Sequence, residues 1–371
     1  MTRSPLPRPA LLPGLARLWR DRHTLQLGHD PARAVLLEVA DPRLVRLLDL
    51  LDGAHTERAI LEHATTLQLS RDDARTLLDT LHAAGLVVGA HTLLPGNLPE
   101  PIRRRLAAEA AAIALRRGDA PVTPAQILRR RAAARVVLAG HGRLAAPVAV
   151  TLAQAGIGHV SPELTGRVTA ADTVGTWLTA TDVHRPRREA VAEAIVRAAP
   201  GTETRPVRRG RGSLTVQLGA DRPAALLAAA YARQAHLLVE VRDGTPVVGP
   251  LVRPAGSPCL NCLDLHRRDR DPAWPTLAAQ LAGDPAAEPC AAPTLIAAAG
   301  YAAAEILAYV DGAAPETLGA AVEISAPGRL RRRSWPPHPG CGCARRRRRS
   351  AGPDTRGGSH GRRGVGDPDS R

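Results

Sequence analysis

The sequence predicts a two-part α/β protein: a small segment of strands and three short helices, followed by a doubly wound α/β domain. Three observations carry this. The 371 residues are enough for about two domains. Hydrophobic residues make up 44%, so a sizeable core can be buried. From Ala134 onward, short apolar runs alternate with Ala-rich helical stretches, the pattern of strands interleaved with crossover helices.

In the first segment (1–95), "TLQLG" and "RAVLLEV" read as short strands around a turn at Gly28-His29-Asp30-Pro31. "DPRLVRLLDLLDG" has Asp41 as a cap, Pro42 at the first helical position and Gly53 as a stop. Thr56 opens a second helix. Ser70 and Asp73 start a third, with Leu77, Leu78 and Leu81 on one face and Gly85 before a further strand. This is a winged-helix pattern. The stretch before it, broken by Pro13 and Gly14, reads as a tail without a signal-peptide cleavage site. Residues 96–133 read as an Arg/Ala-rich helical connector interrupted by Pro121 and Pro124. In the α/β domain (134–343), "ARVVLAG", "LTVQLG" and "HLLVEVR" are strands, and "PVAVTLAQAG", "DRPAALLAAAYARQA" and "PTLIAAAGYAAAEILAYVDG" are helices. Residues 344–371 carry nine arginines against three aspartates and no apolar core, which predicts a disordered Arg-rich tail.

Composition excludes some chemistry. All fifty basic residues are arginine, so no step can use a lysine. No run of eighteen apolar residues is present, and no membrane span is expected. Reduced thiols and a cytoplasmic location are the default. The net charge of +15 raises nucleic acid as a partner. The tail supplies about +6 of it, and aromatics are only 2%, so stacking platforms are scarce and nucleic-acid binding is not expected.

Two motifs carry chemistry. Gly140-x-Gly142 follows a strand and opens a helix, where backbone N–H groups favour an anion, although Ala145 replaces a third glycine; a tight strand-to-helix turn alone is the alternative. Cys259-x-x-Cys262, on a loop, is matched far downstream by Cys341 and Cys343 in "HPGCGCARR". Two close pairs can give four thiolates to a tetrahedral zinc with no open position, a structural site; a redox pair or inert thiols are the alternatives. Cys290 is the odd cysteine, a candidate nucleophile or a small buried hydrophobe. The run Asp264 to Trp274 reads as a solvated, salt-bridged loop or an anion-binding loop.

The order "GHGRLAAPVAVTLAQAGIGHV", "TATDVHRPRREAVAEAI", "LGADRP", "GPLVRPAGSPCLNCL", "CAAPTLIAAAGYAAAEIL" and a second cysteine pair resembles ThiF-like adenylyltransferases, over about Ala134 to Cys343. The segment in front resembles the precursor-recognition domain of peptide-modification proteins. Together they resemble the leader-peptide-binding partner of the cyclodehydratases that make azole and azoline peptides. The resemblance implies a ThiF-like doubly wound Rossmann-type domain, a homodimer, structural zinc, a precursor leader peptide as ligand and a YcaO-type cyclodehydratase as partner. It places nucleotide at Gly140, Gly142, Arg143, Arg187 and Asp221, with Asp221 matching the catalytic aspartate. Arg187 stands where the family has lysine, and the ribose acid has no match beyond a displaced Glu163. A degenerate ATP and Mg2+ site is therefore expected, with an active adenylyltransferase as the alternative and a winged-helix DNA regulator as a further one. An extended leader is expected to add to the strand bearing Val35 and Leu37 and to meet Arg71, Ala74, Arg75 and Leu78 of the third helix.

Overall fold

The computed structural model describes residues 5–343 apart from 31, 33, 118–121, 209–211, 220–221, 255 and 284–287. The Arg-rich tail and Asp221 lie outside the described residues.

The N-terminal stretch is built into the fold rather than trailing from it. Strand β1 (Pro9–Leu11) is buried, and β2 (Arg17–Trp19) is the edge of a three-stranded antiparallel sheet with β3 (Thr24–Leu27) and β4 (Val35–Glu38). A sequence of three-residue strands carries no periodicity. The pairing of β1 with β5 (Val87–Gly89), which sets Ala10 opposite Val88, is fixed only in three dimensions. Between β4 and β5 lie a 3-10 turn (Pro42–Leu50) capped by Asp41, α1 (Glu57–Thr66) capped by Thr56, and α2 (Arg71–Ala83) capped by Ser70. Leu25, Leu27 and Leu37 point from the sheet into a core closed by Leu47, Ile60, Leu78 and Leu81. The opposite face of the sheet holds the cross-strand row Leu18, Gln26 and Leu36. Of these, Leu18 and Leu36 are 42% and 49% exposed.

After the short α3 (Ala90–Leu93), the connector forms α4 (Glu100–Arg117) and α5 (Pro124–Ala133). Thr123 and Gln126 make a reciprocal capping box, with Pro124 in the first turn, where it lacks only an N–H that would have no partner anyway. The connector is not a loose spacer. Ile127 and Leu128 are buried, and the Arg131 guanidinium is 2% exposed. It donates to both carboxylate oxygens of Asp311 at 2.9 and 2.8 Å, to Glu109 at 2.6 Å and to the Ala155 carbonyl at 3.0 Å.

The α/β body is a seven-stranded sheet. Its parallel half runs β7 (His159–Leu164), β6 (Arg135–Gly140), β8 (Leu214–Leu218) and β9 (His236–Arg242). Its other half continues antiparallel through β10 (Thr245–Val252), β11 (Ala320–Ala326) and β12 (Arg329–Ser334). Helices α6 (Ala145–Gln154), α7 (Arg187–Ala198), α8 (Ala224–Ala230), α9 (Leu260–Arg270), α10 (Trp274–Gly283) and α11 (Ala292–Asp311) complete it. Side chains alternate across a strand. Leu237 and Val239 thus pack into the main core with α6, α7 and α11, while Leu238 between them meets Leu227 of α8 and Leu260 of α9 on the opposite face. Both faces are covered, the doubly wound arrangement expected from the sequence.

Helix α11 is the one described helix long and apolar enough to cross a membrane. Here Leu295, Ala298, Ala302 and Ile306 are buried at the centre of the core. Gly312 ends it in the left-handed region, at φ +84°. At the far edge of the sheet, β12 is exposed along its whole length and carries Arg329, Arg331, Arg332 and Arg333.

Candidate functional site

The carboxyl ends of the parallel strands converge on the glycine loop between β6 and α6. In open α/β sheets this is where ligands bind. Gly140 has φ +102°, and a Cβ there would lie 2.0 Å from the Leu218 carbonyl oxygen; only glycine lets β6 and β8 end this close together. Gly142 has φ +112°, and its missing Cβ makes room for the carboxylate of Glu288, whose oxygens would otherwise be 2.4 and 2.6 Å away. The Arg143 N–H donates to Glu288 Oε2 at 2.9 Å, and His141 Nδ1 lies 3.9 Å from Oε1. Burial raises the pKa of this carboxyl above the ordinary value, with the Arg143 N–H and His141 pulling the other way.

Two cavities flank the loop. One, of about 470 Å3, is walled by the loop, Thr165, Asp172, Arg187 and Glu288. The other, of about 560 Å3, lies between α8, α9 and the end of β9, and also touches His141 and Glu288. Arg187, at the first position of α7, is buried and hydrogen-bonded to Asp172 Oδ2 at 2.9 Å and to the Thr165 carbonyl at 3.0 Å. Its Nε is buried without a partner among the described residues. The Arg143 guanidinium is committed to backbone carbonyls, with Ala171 at 3.0 Å and Cys290 at 2.8 Å the nearest.

Of the residues singled out in the sequence, Gly142, Arg143 and Arg187 line one cavity, with Gly140 at the end of β6 beside it, and the Arg143 side chain is a strap rather than a free cation. The structure adds Asp172 and Glu288, which sequence reasoning missed. Asp172 accepts from the Thr169 N–H and hydroxyl in a 3-10 turn (Ala170–Thr173), so Thr169-x-x-Asp172 was a readable capping signal. Glu288 had no such signal. Glu163, the displaced ribose-acid candidate, is exposed on β7. Cys290 is half-buried, and burial pushes its thiol up, away from nucleophilic character.

The four cysteines come together. Cys259 caps α9, Cys262 lies in its first turn, and Cys341 and Cys343 arrive on the chain after β12. The Sγ atoms of Cys259 and Cys341 are 3.6 Å apart, those of Cys262 and Cys343 3.2 Å, and all four lie within 4.8 Å of one another. A disulfide needs about 2.05 Å. Four thiolates around zinc with bonds of about 2.3 Å stand about 3.8 Å apart. The cluster thus fits a tetrahedral metal ion such as zinc. The charged run after Cys262 is helical, not a loop: α9 places Asp264 to accept from the Trp274 indole at 2.7 Å, and Arg267 4.8 Å from the centre of that ring. Asp269 accepts from His338 at 2.7 Å, a second tie between α9 and the arm. That trio with His266 is a clasp rather than a metal site. His338 Nδ1 already accepts the Gly340 N–H, so Nε2 carries the proton.

In the first segment, Leu37, Ala74 and Leu78 fill the segment's own core and are not offered to a peptide. Val35 is half-buried, and Arg71 and Arg75 are exposed on α2. Among the described residues β4 pairs only with β3, so no strand occupies its other edge.

No protein-family model matches this chain, and no curated protein does. Solved structures do. A crystal structure of E. coli MccB with MccA-N7isoASN aligns at TM-score 0.62 and 15% identity, over 91% of this chain and 99% of that one. The chain shares the fold of MccB. E. coli MccB with ATP aligns at 0.60 and 16% identity, covering 90% of this chain and 99% of that one. PaaA aligns at 0.60 and 15% identity, covering 86% and 98%. The MccB likeness extends through the N-terminal segment and the α/β body together, and at this identity it establishes architecture alone.

Proposed function

We propose that this chain binds the leader of a precursor peptide through its N-terminal segment and presents it to a separate YcaO-type cyclodehydratase, with the α/β body as a zinc-tied scaffold. The observation that carries this is the β4 edge that no described strand occupies, in a sheet whose outer face shows Leu18 and Leu36, in a chain whose α2 exposes Arg71 and Arg75. An extended peptide adding to β4 gains main-chain hydrogen bonds, while side chains on alternate positions choose the sequence. Leu36 replaces Leu37 as the side chain available to it. The solved relative MccB has been crystallised with N-formylated MccA, which supports a peptide ligand for this architecture.

The scaffold role rests on the glycine-loop cavity. Both arginines placed there are held by protein groups, and the chain has no lysine to replace them. The second reading, an active adenylyltransferase, is favoured by the cavity at the strand ends and by the MccB structure with ATP. Exchange of labelled pyrophosphate into ATP with candidate peptides separates the two, and the scaffold reading expects none.

Fluorescently labelled acidic leader peptides, encoded beside the gene, should bind the full chain at about micromolar Kd. Arg75→Glu should weaken binding about tenfold by placing like charges together. Binding unchanged in Arg75→Glu and in Leu36→Asp would rule out the β4 edge as the docking site.

A further inference from the structure

We propose that the loop 140–143 is a phosphoryl-anion site held shut by an internal ligand, the Glu288 carboxylate, which must leave before a phosphate can enter. The proposal rests on the scaffold reading above and specifies what keeps phosphate out of the loop.

Four observations converge. First, Glu288 lies where an anion belongs: its Oε2 accepts the Arg143 N–H at the turn into α6, in the space left by the missing Gly142 side chain. Second, this carboxylate is only 13% exposed, and among the described residues its hydrogen-bond donor is a backbone N–H rather than a guanidinium. A buried acid seldom forgoes an arginine when two stand nearby. Third, the Arg187 Nε is buried without a partner among the described residues on the wall of the same cavity, a donor left over by the present occupant. Fourth, Glu288 lines both the 470 and the 560 Å3 cavities. With His141 and Pro289, which line both as well, it forms part of the partition between them, and its withdrawal would widen the passage from one to the other.

Arg143 then has a different role from the nucleotide contact expected of it. Its guanidinium donates to the Cys290 carbonyl at 2.8 Å and the Glu288 carbonyl at 3.4 Å, so it straps the backbone that delivers the carboxylate. Loop and plug are held together by one side chain.

The test is calorimetric titration of the full-length wild type, Glu288→Gln and Glu288→Ala with MgATP and, separately, with inorganic tripolyphosphate. Glu288→Ala is expected to bind both at least about tenfold more tightly than the wild type, and Glu288→Gln, which keeps the shape without the charge, to fall between. Should Glu288→Ala fail to fold, the Gln variant carries the comparison. Folded variants that bind neither anion more tightly than the wild type would overturn the proposal. Pyrophosphate exchange by the wild type would instead refute the scaffold reading, so the two failures are distinguishable.

Discussion

Replacing Arg131 with alanine is expected to destabilise the protein by about 3–5 kcal/mol, the usual cost of stranding a buried ion-pair partner. The guanidinium holds three separate pieces of chain. It takes both oxygens of Asp311 at the end of α11, Glu109 on α4 and the Ala155 carbonyl after α6. The Asp311 side chain is 9% exposed, so removing its partner leaves a charge that water reaches poorly. A loss of that size is a large part of the roughly 5–15 kcal/mol that keeps a domain folded. Urea unfolding followed by circular dichroism measures it. Arg131→Lys should recover only part, because an ammonium cannot make the two-pronged contact. Arg131→Met with Asp311→Leu should recover more, because it removes the two most buried charges and leaves only Glu109, whose side chain is 30% exposed. A loss below about 1 kcal/mol in Arg131→Ala, the scale of an exposed pair, would show that this network does not bind the connector to the body.

Cys262→Ser is expected to abolish metal binding and release the chain beyond β12. A tetrahedral thiolate site loses most of its affinity with one ligand, and structural zinc contributes on the order of 10 kcal/mol to closing such a site. Cys262 is fully buried and Cys341 nearly so, and the arm's other anchors among the described residues include the His338–Asp269 clasp, the Asn261 amide on Cys341, the His266 contact with the Pro336 carbonyl at 3.0 Å and the Trp335 N–H on the Gly319 carbonyl at 3.2 Å. Elemental analysis should give about one zinc per wild-type chain and well under half in the variant. Limited proteolysis should cut near residues 335–343 only in the variant or after chelation. Wild-type protein purified without metal, yet with the arm protected, would show that packing alone secures it.

Three of the four parallel strands were legible because they are largely buried and read as apolar runs; β7, with Ser161, Pro162 and the exposed Glu163, was not. "RVVLAG" and "LTVQL" could be little else. The antiparallel half was not. β10 contains Pro246 and Pro250, and β12 is all polar but for one leucine; both pair only because β9 and β11 offer them an edge. Helix α9 escaped for a related reason. Its apolar residues, Leu260, Cys262, Leu263 and Leu265, all lie in its first half, and the charged second half masked its period. The site divides the same way. Glycines beside a strand and paired cysteines are local spacings, and the sequence displays them. The meeting of Glu288 with a loop 145 residues earlier is a product of the fold, and a single acid in an Ala/Pro-rich stretch carries no mark of it.

The exposed edge at β12 bears on how this chain coexists with copies of itself. An unpaired strand is an invitation to continue the sheet into another molecule. Two such edges meeting antiparallel would bring Arg329, Arg331, Arg332 and Arg333 of each against those of the other. The Arg332 and Arg333 contacts to Glu316 and Glu323 offset part of that charge within each molecule. At the opposite edge, His159 of β7 is bridged by Glu203, so that side is partly covered by the chain itself. A fold with two sheet ends thus shields one and electrifies the other, and growth into filaments is opposed at both without a single added residue.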